Sequence, residues 1–241
     1  MGEAIRLLSM HPTRYEAAAT EFLHAVITEA AQPSSSFVAD PLAMTVQERT
    51  FLVCHYLATM SEEGDFAVGD DARYSDYLHV GRDFPLEPAI SLGGIAGATW
   101  TLHPLLGAHA EAIERLQLED PASSRFHWVT GAMAAQLRKA DERAPDAVIA
   151  HAEFLDWLRS RMAWMKLLAE SDYAELFGAY WIANQQAAHF FQIDFDRHGV
   201  LCQPVNEPSE GAGVAPARFP ALSNIGAVAV GLSGKSHVDG G

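Results

Sequence analysis

Apolar residues recur at helical spacing along several stretches of this chain. Tyr15, Ala19, Phe22, Val26 and Ala30 form one such stripe, and Val46, Val53, Tyr56, Leu57 and Met60 form a second. Each is preceded by a capping-box pattern, Thr13 with Glu16 and Thr45 with Glu48, in which a hydroxyl accepts an amide while the glutamate reaches back. Further on, Val148, His151, Leu155, Leu158, Met162 and Met165 lie on one stripe, with Phe154, Arg161, Trp164 and Leu168 on the next. A helix apolar on two adjacent stripes is largely buried, so His151 is expected in the core, donating to a carbonyl. Tyr173, Leu176, Phe177, Tyr180, Ala187, Phe190 and Phe191 mark the last long helix. The pattern predicts helices near 14–31, 45–61, 125–140, 146–169 and 171–196.

Three stretches break this rhythm. From Ile95 to Leu118 the spacing persists, but Gly97, Pro104 and Gly107 interrupt it, which predicts a kinked or split helix. Residues 62–91 interleave acids with Gly, Pro and aromatics and read as an ordered acidic loop with one short helix at Tyr74–Leu78. Residues 199–241 are rich in Gly, Pro, Ala and Ser and read as an extended arm. The expected fold is therefore mainly α: a helical, bundle-like domain over 1–198 followed by the arm. Phe219, Leu222, Ile225, Val228, Val230 and Leu232 are apolar residues that a solvating tail would not need, so the arm is expected to bind a partner. Packing back across its own helices is the alternative.

Composition narrows the function classes. Of 241 residues, 49% are apolar, enough for a sizeable core. Sixteen Lys and Arg face 31 Asp and Glu, a formal net charge of −15. That charge repels phosphate backbones and anionic lipid heads, so neither nucleic acid nor membrane is an expected partner. It suits docking on a basic protein surface. Cys54 falls in an apolar helical run and Cys202 near the arm, with no C-x-x-C. No apolar run is long enough to span a bilayer, and no signal-peptide pattern is seen at the N-terminus, which predicts folding in a cytoplasm.

Chemistry-bearing motifs are sparse. Glu21-Phe-Leu-His24 places a carboxylate and an imidazole on one helix face, and Glu48 and His55 could add ligands, as could His109 with Glu114. Carboxylate-bridged iron sites in helical bundles need a second such pair, which is missing. An iron or manganese enzyme built on Glu21, His24, Glu48 and His55 is thus the alternative reading, and the expectation is no metal, no cofactor and no catalysis. Gly231-Leu-Ser-Gly-Lys-Ser236 ends like a phosphate loop, but Ala229 stands where its first glycine should be. The paired aromatics Tyr180-Trp181 and Phe190-Phe191 are core residues by default and an interface wherever they are left exposed.

Several segments in order resemble a family of tailed-phage and prophage proteins encoded in the tail region. Phe37-Val-Ala-Asp-Pro-Leu-Ala-Met-Thr-Val-Gln-Glu-Arg-Thr-Phe-Leu-Val-Cys-His-Tyr-Leu-Ala carries most of the likeness. Gly64-Asp-Phe-Ala-Val-Gly, Arg73-Tyr-Ser-Asp-Tyr-Leu, Phe126-His-Trp-Val-Thr-Gly-Ala-Met-Ala-Ala-Gln-Leu, Glu170-Ser-Asp-Tyr, Ala179-Tyr-Trp and Ala217-Arg-Phe-Pro extend it. The resemblance covers roughly Phe37 to Pro220 and is one of order and flavour rather than of a diagnostic motif. It implies a non-catalytic protein of tail assembly or of the baseplate. Its partners would be other tail or assembly proteins or further copies of itself, and its place the host cytoplasm during assembly or the finished tail.

Overall fold

Ala96 and Gly97 both adopt positive φ, 50° and 77°. A two-residue connection with both residues left-handed matches the twist of an antiparallel hairpin. It joins β1 (Ile90–Ile95) to β2 (Ala98–Leu102), where a broken helix was expected. Along β2, Trp100 and Leu102 are buried while Thr99 is exposed, the period of two that a half-buried strand requires. β3 (Leu137–Lys139) adds antiparallel to β2, giving the strand order β1-β2-β3.

A computed structural model of the chain describes residues 14–27, 40–60, 64–68, 72–82, 88–119, 124–205 and 214–219. Among these residues the helices are α1 (Tyr15–Val26), α2 (Val46–Met60), α3 (Gly107–Glu119), α4 (Arg125–Gln136), α5 (His151–Met165) and α6 (Glu170–Gln186). A second hairpin joins β4 (Gln192–Asp196) to β5 (Gly199–Gln203). The fold is mixed α and β, not mainly α. Each expected helix overlaps a real one, but α4 gives way to β3 at Leu137. The helix expected to run to 196 stops at Gln186, and β4 follows. In β4, Ile193 and Phe195 are buried between half-exposed Gln192, Asp194 and Asp196, an alternation that belongs to a strand.

Helix α4 is the hub. Every residue from His127 to Gln136 is buried, so it packs on all sides, with α3 and α5 on its flanks and β4 against it. Small residues make this possible. A Cβ on Gly131 would lie 2.8 Å from Ile113 of α3, so any larger residue would push the two helices apart. Trp128 is fully buried, donates its indole N–H to Gln117 Oε1 at 2.7 Å, and stacks on Phe195.

The sheet packs against α5 and α6. Trp100 of β2 lies 6.1 Å from Trp164 of α5, and the Arg161 guanidinium sits 5.5 Å from the Trp100 ring and 5.3 Å from that of Trp157. Arg161 is also ion-paired with Glu142 and donates to the Leu137 carbonyl at 2.9 Å. Its burial is thereby matched by a counter-ion, a carbonyl and aromatic faces.

Two further expectations are revised. His151 is exposed in the first turn of α5, not in the core: the helix starts there, and its burial begins only at Phe154. The expected arm begins with β5, so a boundary at 198/199 would cut the second hairpin. Residues 214–219 then fold back: Ala217 exchanges both backbone hydrogen bonds with Cys202, at 2.7 and 3.0 Å.

Candidate functional site

The capping box at Thr45 is formed in both directions. Glu48 N–H donates to Thr45 Oγ1 at 3.1 Å, and Thr45 N–H donates to Glu48 Oε2 at 2.7 Å. Glu48 is therefore committed to starting α2. At α1, Thr13 lies outside the described residues, and Arg14 at the N-cap makes no side-chain cap. His55 stacks on Phe51 with its ring exposed, and His24 is exposed on α1. Glu21, half-buried, lies one turn before His24. Among the described residues, no three His, Cys, Asp or Glu side chains come together as metal ligands would. Glu21, His24, Glu48 and His55 are thus not gathered into one site. His109 and Glu114 share α3 but serve different neighbours. His109 accepts the Leu106 N–H at Nδ1 and stacks on Phe154, and burial together with nearby Arg138 pushes it down to about 3.

Glu114 belongs to a buried charge cluster. Its carboxylate accepts the backbone N–H groups of Glu16 and Ala17, at 2.9 and 3.1 Å, at the N-terminus of α1. Those orphan amides and the helix dipole make this a favourable place for a carboxylate. Glu16 is buried beside it, 3.6 Å from Arg49 Nη1. Arg49 Nη2 donates to the Glu16 carbonyl at 2.6 Å and to Thr20 Oγ1 at 2.8 Å. Burial, then the charge of Glu16, raises Glu114 to about 7, and burial also raises Glu16 despite Arg49. The cluster docks α1 onto α2 and α3.

A second polar set surrounds His189. Its Nδ1 lies 3.1 Å from the Ala187 carbonyl, which only accepts, so the proton sits on Nδ1. Nε2 then accepts from the Thr45 hydroxyl at 3.0 Å. Burial lowers His189 below its ordinary value, in keeping with this neutral tautomer. Phe190 holds the turn at φ 54°, a strained conformation for a bulky residue, secured by hydrogen bonds to Arg82 and His79 and by stacking on Phe51 at 4.2 Å. Next to His189 a crevice opens, walled by Ile90, Leu102 and Leu105 and reached by Gln47, His103 and Asn184. It encloses about 20 Å³, room for one water-sized group. Gln47 and Asn184 are both buried.

On the outside of α6 the aromatics form a ladder. Phe126, at the start of α4, is 48% exposed and lies 5.7 Å from Tyr173. Tyr173 stacks on Phe177 at 6.5 Å, and Phe177 lies 6.2 Å from Trp181. Successive residues of the ladder on α6 are four apart, so they line one edge of the helix, half-buried, with Ile182 exposed beside them. The helix carries Glu170, Asp172 and Glu175 and no basic residue. The pattern marked Tyr173 and Phe177 as core. Their spacing was visible in the sequence, but their half-exposure depends on where β1 and α4 sit. Of the expected partner-binding residues, Phe219 packs within the molecule, its ring 5.5 Å from Tyr77 and 6.1 Å from Phe191. Leu222, Ile225, Val228, Val230 and Leu232 lie outside the described residues.

No family model matches this chain, and no curated protein and no solved structure matches it.

Proposed function

We propose that this protein is a non-catalytic assembly component that works through contacts with other proteins, and that its partners are tail or baseplate proteins of a tailed phage. The observation that carries the reading is the half-exposed ladder Phe126–Tyr173–Phe177–Trp181, an aromatic-rich surface of the kind enriched at interfaces. The choice of partners rests on the resemblance described above. The net charge of −15 favours capture by basic surfaces over self-association. The protein would act in the host cytoplasm during assembly and would stay in the tail if it is a structural part of it.

Co-expression with the proteins encoded beside it, followed by sedimentation, tests this. The wild-type chain should co-sediment with at least one of them. A Phe177→Ala, Trp181→Ala double variant should keep its fold and lose most of that complex. A complex of unchanged stability in the double variant would remove the ladder from the interface and the reading with it.

A further inference from the structure

We infer that the outer edge of β1 is a second docking site, which takes an extended strand from a different, basic protein chain. β1 is the terminal strand of its sheet, and among the described residues its backbone groups bond within the β1–β2 ladder, apart from the Ile95 carbonyl, which accepts the Trp100 indole N–H at 3.1 Å. An unpaired strand edge presents a row of N–H and C=O groups that another extended backbone satisfies. Edges are ordinarily protected by charge or proline within the strand. Here the run from Pro88 to Leu102 has no charged residue, and β1 itself, Ile-Ser-Leu-Gly-Gly-Ile, has no proline. Ser91 and Gly94 are exposed along it. A bulge between Ser91 and Gly93 shifts the register within the strand.

A second observation points to the same edge. Pro88, Ala89 and Ile90, at the start of β1, line the crevice that the buried residues Gln47 and Asn184 also line. Each amide both donates and accepts, and the space fits one small polar group. A Ser or Thr hydroxyl at the end of an incoming strand meets both requirements. Electrostatics selects the source. A second copy would bring another −15 charge to the contact, whereas a strand flanked by Lys or Arg is drawn in. β1 packs against α6, but the docking contact is made by the strand's backbone and not by the ladder's side chains, so different variants test the two.

The test uses two acetylated, amidated heptapeptides on the full chain, followed by backbone amide hydrogen exchange. One is Lys-Thr-Val-Thr-Val-Thr-Lys; the other, Lys-Pro-Pro-Val-Pro-Pro-Lys, keeps the charge but lacks the N–H groups needed to pair along either edge. The first should slow exchange of the amides within 90–95 by about tenfold or more and the second should not. Ser91→Pro should abolish the effect, and Asn184→Ala should weaken it. Should Ser91→Pro fail to fold, the wild-type exchange map still decides. No protection at β1, equal protection by both peptides, or protection centred on α6 overturns the inference. So does concentration-dependent protection of β1 without peptide, which would make a second copy the occupant.

Discussion

Gly107 shows how single positions constrain this fold. A Cβ there would fall 2.4 Å from Arg49 Nη1 and 2.5 Å from the Pro41 carbonyl oxygen. The arginine tip could yield, but the carbonyl is backbone. Gly107→Ala should therefore destabilise the protein by about 1–3 kcal/mol, seen as a lower urea midpoint at unchanged slope. Glu114 makes a prediction of a different kind. Its folded-state value of about 7 stands above the ordinary 4.5, so the folded chain holds a proton that the unfolded chain has released. Its contribution is complete below about pH 4.5 and is lost as the pH rises through about 7. Glu114→Gln should flatten the fall in stability between pH 5 and pH 8, measured by urea titration at several pH values. An unchanged slope would mean that the proton resides elsewhere in the Glu16–Arg49–Glu114 cluster. His109 works in the opposite direction, its stabilisation lost as the pH falls from its ordinary 6.5 towards about 3.

Among the elements, the returning segment 214–219 makes the most exposed claim. It joins β5 through Ala217, pairs Arg218 with Asp196, and covers Tyr77 and Phe191 with Phe219. Phe219→Ala should cost about 1–3 kcal/mol. A chain truncated before Gly199 should lose far more, because β4 would be left without its partner strand. Unchanged melting in that truncated chain would show that the segment is dispensable. The helices were legible in the sequence because their stripes are long and the Thr45–Glu48 cap is a local signal. The hairpins were not. Ile95, Ala98 and Leu102 also fall at helical spacing, and the turn that folds them into strands needs Ala96 to take a positive φ that few alanines take. In the same way, Phe190 and Phe191 continue the α6 rhythm, and only the left-handed Phe190 reverses the chain before β4. The candidate site was legible in part: Thr45 and Glu48 were marked for their cap, but the link to His189 spans 144 residues, which no local pattern reports.

On the scale of the whole molecule, α4 is flanked by α3 and α5 and by β4 of the second hairpin, and charge is confined to the surface or to a few buried clusters. In the described residues no helix is long and apolar enough to cross a membrane. Docking on a basic partner should accordingly weaken with salt, by at least severalfold between about 50 and 200 mM, and a complex indifferent to salt would set the ladder's apolar contact above charge. Cys54 on α2 and Cys202 on β5 sit in one apolar cluster beneath Phe191, both free, both buried, and both held well above the ordinary thiol range by that burial. In the closed molecule they are shielded from alkylating reagents, so their modification rates become a clock for opening. Cys202 is covered by the returning segment, through Ala217, whereas Cys54 lies within α2. Mass spectrometry of a chain held in iodoacetamide should record Cys202 reacting first if the C-terminal strands detach by themselves, and both thiols reacting in step if the two halves of the fold open only together.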